Sequence, residues 1–292
     1  MNHETVLLEE AVEALAIKRN SIIIDTTFGA GGHAAAILNK LGPSGKYIGI
    51  DTDQTALRHH LNELENATLV HGNFRNLHTI TSSLDIEKVD GILADLGWRM
   101  EQFSGNGRGF SFRHDEPLLM TLGDPDSYDF TARDIVNEWD ESVLADIIYG
   151  YGEERFARRI AKKIVDIRKA EPIQTSKQLS DLIVSAYPAG ARHGRTHVAT
   201  KTFQALRIAV NEELTAIEEL IEQGINALAP GGRLVIITFH SIEDRVVKHA
   251  YRAAQVTERG IVVTKKPITA SSEELEKNPR ARSAKLRIFE KT

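Results

Sequence analysis

The stretch SIIIDTTFGAGGH, residues 21–33, decides the fold. Within residues 21–25, Ile22-Ile23-Ile24 are a β-branched run without polar alternation, which predicts a strand buried on both faces. Gly29, Gly31 and Gly32 follow, and helical spacing begins at His33 and runs to residue 41. Glycines at a strand-to-helix turn permit positive φ and let the backbone approach a ligand closely. Working outward, similar strand-length runs recur at residues 46–50, 67–71, 89–96 and 233–239, with helical spacing over 54–64. Gly42-Pro43-Ser44-Gly45 stops the first helix. Repeated strand–helix–strand units at this spacing predict a parallel, doubly wound, Rossmann-like α/β sheet. Residues 260–265 and 284–290 are expected to add a terminal pair of strands.

The alternation breaks after Leu96. Residues 102–196 carry helical patterns at 131–139, 141–149, 153–168 and 176–186 but no convincing strand. One long helix is expected over 203–225, turned by Ala229-Pro230-Gly231-Gly232 into the fifth strand. The chain is therefore expected to hold a discontinuous domain of residues 1–101 and 197–292, with a helical domain of residues 102–196 inserted after the fourth strand.

The chain has 292 residues, enough for two modest hydrophobic cores, and 26% of them are charged, ordinary for a globular protein. It has no cysteine, which excludes disulfides, thiolate metal sites and a cysteine nucleophile. Met1-Asn2-His3-Glu4 carries no basic segment ahead of an apolar core, so no signal peptide is expected, and no apolar run approaches a membrane span. A cytoplasmic protein is expected. The net charge of −5 hides an asymmetry: residues 155–201 hold eleven basic against three acidic residues, and residues 245–292 twelve against five. Two basic faces on an acidic body suit a polyanion, although solvated helix faces have the same composition.

Asp51 ends the second strand, about 20 residues past the glycines, where a carboxylate can accept both hydroxyl hydrogens of a ribose. Gly29-Ala30-Gly31-Gly32-His33-Ala34 also satisfies the loose dinucleotide pattern, so the turn alone does not select the ligand. Two features favour S-adenosylmethionine over a nicotinamide dinucleotide. Asp25 at the mouth of the first strand suits a cationic amino-acid moiety and would repel a pyrophosphate, and only one such α/β unit is present.

The fourth strand ends Leu93-Ala94-Asp95-Leu96-Gly97-Trp98. Ligands in this fold class bind outside the carboxyl ends of the strands, which directs Asp95 to the reactive end of the site. Asp95 followed three residues later by Trp98 resembles the arrangement in amino-group methyltransferases, without the usual intervening prolines. A carboxylate accepting the N–H bonds of an exocyclic amine localises its lone pair and takes up the released proton. Trp98 can stack on an extruded base. The bland alternatives are a helix N-cap for Asp95 and core packing for Trp98.

On these residues and others the chain resembles the bacterial 16S ribosomal RNA cytosine-N4 methyltransferases, the RsmH (MraW) type, over essentially its whole length. The matching stretches include HETVLLEE at 3–10, DTTFGAGGH at 25–33, HGNF at 71–74, DLG at 95–97, RGFSF at 108–112 and YGEERFARRIA at 151–161. TFQALR at 202–207, VNEE at 210–213, LAPGGR at 228–233, FHS at 239–241, EDRVV at 243–247 and NPRARS at 278–283 continue the order. The resemblance implies methyl transfer from S-adenosylmethionine to the N4 amine of a cytidine in 16S ribosomal RNA of the small subunit. It implies cofactor contacts at Gly31, Gly32, His33, Asp51, Phe74, Asp95 and Gln102, with Phe74 beside the adenine. His240 and Ser241 are expected to face the target base, joining Asp95 and Trp98 as catalytic candidates.

Departures from the family pattern cluster. Arg99 and Met100 stand where two serines are usual, Pro117-Leu118-Leu119-Met120-Thr121-Leu122 replaces Pro-Leu-Asp-Met-Arg-Met, and Val198 replaces a proline. These positions are expected to lie toward the substrate, and they motivate an alternative: an RNA-binding assembly factor that holds the cofactor but transfers methyl groups weakly or not at all. No metal is expected, since His193 and His197 lie among Arg192, Gly194 and Arg195 without carboxylate partners. A nucleophile built from Ser241 and His240 is disfavoured because adjacent residues at a strand end point apart. The expected partner is 16S ribosomal RNA within the small subunit, with no membrane; the state of association is left open, a homodimer included.

Overall fold

The structure is a computed structural model that describes residues 4–60, 64, 66–97, 107–192, 194 and 196–292. It divides into two compact units, Met1–Gly97 with Leu214–Thr292, and Trp98–Glu213. The first unit opens with α1 (Leu8–Ala14), β1 (Ile22–Asp25), α2 (Gly32–Lys40), β2 (Lys46–Asp51), α3 (Gln54–His60), β3 (Ala67–His71), α4 (Leu77–Ser83) and β4 (Val89–Asp95). The second unit then supplies α5 (Ala132–Glu138), α6 (Glu141–Gly152), α7 (Ala157–Arg168), α8 (Ser176–Ala186) and α9 (Thr200–Asn211). The chain returns through α10 (Glu213–Ala227), β5 (Leu228–Thr238), α11 (Ser241–Val256), β6 (Gly260–Val262), α12 (Ser272–Lys277) and β7 (Lys285–Lys291).

The seven strands form one sheet in the order β3-β2-β1-β4-β5-β7-β6. The first five are parallel, and β7 runs antiparallel to both β5 and β6. The Rossmann-like α/β fold is thus present, with the expected strand pair at its far edge. Successive residues point to opposite faces, so a strand covered by helices on both sides must be apolar throughout. Ile23, Leu93, Val235 and Ile237 enter one core with Leu7 and Ile37, while Ile24, Ile92, Leu234 and Ile236 enter the other with Ile217, Leu220 and Tyr251. Each such isoleucine or leucine contributes roughly 1.5–3 kcal/mol by leaving water. The Ala229-Pro230-Gly231-Gly232 turn lies inside β5 as a bulge: Val89 pairs with Leu228 and Gly91 with Arg233, leaving the turn opposite Asp90.

The second unit, taken by itself, is helical among the described residues, with a core that includes Ile135, Ile148, Ile160, Ile164, Leu179, Ile183, Phe203 and Leu206. Thr131 and Thr175 start α5 and α8 with reciprocal capping boxes.

Three expectations change. The helix expected over 153–168 begins only at Ala157, because Glu153 turns left-handed at φ 50° and closes α6. The long helix expected over 203–225 is two helices. It breaks at Glu212, φ 48°, where Asn211 caps non-locally: its Nδ2 donates to the Met120 carbonyl at 2.8 Å and its Oδ1 accepts the Leu122 N–H at 3.0 Å. The end of the inserted unit lies accordingly at residue 213 and not at 196, since α9 buries Phe203, Leu206 and Val210 in the helical core. The third concerns the family departures. Of the departing residues, Thr121 is fully buried, Val198 is nearly so and belongs to the apolar core of the helical unit, Leu122 packs partly buried against that core, and Leu119 is half-buried; these substitutions repack an interior. Among the described residues, no helix is long and apolar enough to cross a membrane.

Candidate active site

Three carboxylates mark the carboxyl ends of neighbouring strands: Asp25 on β1, Asp51 on β2 and Asp95 on β4. The sheet order reverses between β1 and β4, and a crevice at such a switch point is where ligands bind in open α/β sheets. The glycine turn spans it. Gly29 and Gly31 adopt φ of 58° and 75°, conformations a side chain would strain. A Cβ at Gly29 would meet only the Thr27 carbonyl, at 3.6 Å, so this side of the turn faces open space.

The turn is held from three sides. Asp51 Oδ2 accepts the Gly29 N–H at 2.7 Å while its Oδ1 accepts the Asp53 N–H at 2.8 Å. The Asp95 N–H donates to Thr27 Oγ1 at 2.6 Å, and the Thr26 hydroxyl donates to the Leu93 carbonyl at 2.9 Å, sewing the turn to β4. From beneath, Asp25 Oδ1 accepts the Thr27 N–H at 3.1 Å and Oδ2 accepts the Tyr47 hydroxyl at 3.0 Å. Asp25 is only 1% exposed, which corrects its reading as a contact for a cationic ligand moiety: it supports the turn from inside. Burial pushes its carboxyl above the usual carboxylate range, with His33, Thr27 and Tyr47 offsetting part of that rise. Burial, reinforced by Asp25, also drives the Tyr47 hydroxyl well up, which keeps it protonated as the donor.

Gly32 serves packing. A Cβ there would fall 1.8 Å from Thr5 Oγ1, so the amino-terminal segment lies directly against the turn. That segment is fastened by the Leu7 N–H to Glu274 Oε1 at 2.8 Å and by Asn278 Nδ2 to the Glu4 carbonyl at 3.1 Å. The first and last family stretches in the sequence therefore meet beside the glycines. His33 is 5% exposed, with Nδ1 4.0 Å from Asp95 Oδ2, linking α2 to the end of β4.

The Asp95 side chain is 21% exposed, so its carboxylate is reachable. Its Oδ1 accepts the Gly97 N–H at 2.9 Å. A Cβ at Gly97 would approach the Phe239 ring to 2.7 Å and Asp95 Oδ1 to 2.8 Å, which explains a glycine two residues past the carboxylate. Phe74 follows β3 in a short 3-10 turn capped by Asn73 and is half-buried. Its neighbour Arg75 pairs with Glu219 of α10 at 2.6 and 3.1 Å, and Gln223 Nε2 donates to the Arg75 carbonyl at 2.7 Å. Sequence reasoning missed this clasp, because no local pattern joins residue 75 to residue 219.

His240 caps α11: its Nδ1 accepts the Glu243 N–H at 3.3 Å, and Glu243 Oε2 accepts the Phe239 N–H at 2.8 Å. Glu243, 2% exposed, also places Oε1 3.0 Å from His240 Nε2. Glu243 is a second missed residue, visible in principle from its capping-box spacing. Ser241 is exposed at the first position of the same helix. The structure thus gathers Gly31, Gly32, His33, Asp51 and Asp95 around one turn. Trp98 and Gln102 lie outside the described residues, as do Arg99, Met100 and His193. His197 stacks on Phe112, ring centroids 4.4 Å apart, with Nδ1 accepting the Ala199 N–H at 3.2 Å.

A ligand with an adenosine ribose and a cationic centre fits this donor set. Partly exposed carboxylates stand at two strand ends beside an open, positive-φ turn.

"Ribosomal RNA small subunit methyltransferase H" of Brevibacillus brevis is 45% identical, covering 99% of this chain and 98% of its own. Among solved structures, an rRNA methylase from Streptococcus thermophilus shares 13% identity at a TM-score of 0.44, over 100% of this chain and 99% of that one. Aeropyrum pernix fibrillarin with bound S-adenosyl-L-methionine shares 10% at 0.41, over 96% and 73%. The MraW methylase family matches residues 1–292, and the chain belongs to that family.

Proposed function

We propose that this methyltransferase moves a methyl group from S-adenosylmethionine to the N4 amine of a cytidine in 16S ribosomal RNA of the small subunit, in the cytoplasm. The observation that carries the reading is the reachable Asp95 carboxylate at the switch point, tied through Thr27 to the glycine turn. The whole-length relative named for small-subunit ribosomal RNA supports the substrate class.

Gly31 and Gly32 would hold the donor by their backbone, Asp51 by its ribose hydroxyls, Phe74 beside the adenine, and His33 through its hold on Asp95. Gln102 joins this set from the family resemblance. When bound, S-adenosylmethionine supplies a methyl group on a sulfonium, an electrophile that requires an available lone pair. Cytosine's exocyclic amine has its lone pair delocalised into the ring. With the donor bound, Asp95 would accept an N–H of that amine, localise the lone pair, and take the proton released as the methyl carbon leaves sulfur, now a neutral thioether, for nitrogen. Orientation supplies the rest of the rate, through Asp95 fixed at Gly97. Trp98 stacks on the extruded base, and His240 and Ser241 present donors and acceptors to its edge. The helical unit recognises the surrounding RNA.

The test is transfer of labelled methyl to small subunits or 16S ribosomal RNA, with nucleoside mass spectrometry of the product. N4-methylcytidine is expected. A different methylated nucleoside, or transfer to neither substrate, removes the reading.

A further inference from the structure

α7 carries cations in two adjacent rows. Arg159 and Lys163 stand one turn apart, as do Arg158 and Lys162, and Arg155 extends the first row just before the helix. Arg155, Arg158, Arg159 and Lys162 are exposed, Lys163 half-exposed, while Ala157, Ile160, Ala161 and Ile164 bury the opposite face. The interior side anchors the helix in the core of its unit, so the cationic side is held rigidly toward solvent.

Three lysines on or at the end of other helices or this one are neutralised locally. Lys169, Lys177 and Lys277 each pair with a carboxylate one turn away on their own helix or at its end. No ion pair joins Arg155, Arg158, Arg159, Lys162 or Lys163 to a carboxylate among the described residues; the Arg155 guanidinium instead lies 4.6 Å over the Phe156 ring. Like charges one turn apart work against a helix, and arginines in its first turn oppose the helix dipole. The face is therefore poor for folding stability and suited to a polyanion.

Resting on the methyl-transfer reading above, we infer that this face of α7 binds the phosphate backbone of the substrate RNA. Its guanidiniums suit phosphate oxygens, and the contact is independent of sequence, so it positions the RNA while the pocket around Asp95 selects the base.

The test measures binding of 16S ribosomal RNA against salt for the full-length protein. Three forms are compared: wild type, the triple variant Arg158→Gln/Arg159→Gln/Lys162→Gln, and a control, Lys169→Gln/Lys177→Gln/Lys277→Gln, with the same change in charge. Losing three phosphate contacts should flatten the slope of log K against log salt by about 2, and the control should leave it unchanged. Near-native thermal melting of the triple variant shows that it folds; if it does not, Arg158→Gln alone should flatten the slope by about 0.7. A native slope in a folded variant, or equal losses in variant and control, overturns the inference. Methyl transfer by the wild type is scored separately: its failure sinks the enzymatic reading, while the slope still reports on the helix.

Discussion

Asp51 and Gly29 are joined across the site, the carboxylate at the end of β2 accepting the glycine N–H at 2.7 Å. Because Asp51 also holds the Asp53 N–H, one side chain fixes both the turn after β1 and the loop after β2. A residue positioned to contact ribose therefore also shapes the turn that contacts the rest of the ligand.

Asp51→Ala should act twice. Loss of two hydrogen bonds to a charged acceptor is expected to lower stability by about 1–3 kcal/mol, and affinity for S-adenosylhomocysteine should fall at least about tenfold. Thermal melting and calorimetric titration read the two effects. Native affinity in a folded variant would remove Asp51 from the ligand site.

Asp95→Asn should separate binding from chemistry. The amide keeps an oxygen for the Gly97 N–H, so fold and donor affinity should persist. The variant cannot take up a proton, and kcat should fall by about 10²–10⁴. Undiminished single-turnover transfer would exclude Asp95 as the proton acceptor.

The parallel sheet was legible because strands covered on both faces leave uninterrupted apolar runs, as in Ile22-Ile23-Ile24. The glycine turn was legible because its backbone demand is local. What failed depended on distant partners. Apolar spacing continues from Phe203 through Leu206, Val210, Leu214 and Ile217, so nothing local shows the break that Asn211 makes with Met120 and Leu122. Asp25 was assigned to the ligand because Tyr47, its buried partner, stands 22 positions away. Thr121 and Val198 were placed near substrate because a cluster of family departures marks a repacked core as readily as a reshaped pocket.

Glu219→Gln should leave stability nearly unchanged, since its ion pair with Arg75 is 40% exposed on the carboxylate side and such pairs contribute about 0–1 kcal/mol. The Arg75 hydrogen bonds and charge hold the Glu219 carboxyl below its usual range, against a smaller opposing effect of burial. The effect of the substitution should appear at Phe74, the residue preceding Arg75. KM for S-adenosylmethionine is expected to rise several-fold with kcat retained, as for uniform binding. An unchanged KM would show that the clasp does not position Phe74.

Acid stability should depend on Asp244. Its carboxylate receives Arg287 at 2.6 and 3.1 Å and Lys285 at 3.3 Å, tying α11 to β7, and Arg287 is 4% exposed. Burial by itself raises the Asp244 carboxyl, but the Arg287 and Lys285 hydrogen bonds and charges together outweigh it and hold the group below the usual carboxylate range. A depressed folded-state value means that the unfolded chain binds the proton first as pH falls. The stabilisation is therefore complete above the ordinary carboxylate range and is lost as pH drops through the lowered folded value. Asp244→Asn should cost about 3 kcal/mol at neutral pH, the low end for a buried pair, because Lys285 is partly exposed and the remaining Arg287 charge is left poorly compensated. Denaturant melts of wild type and variant across the acid range should converge as pH falls. A gap that stays constant with pH would mean that the loss comes from packing around α11 and not from the charge on Asp244.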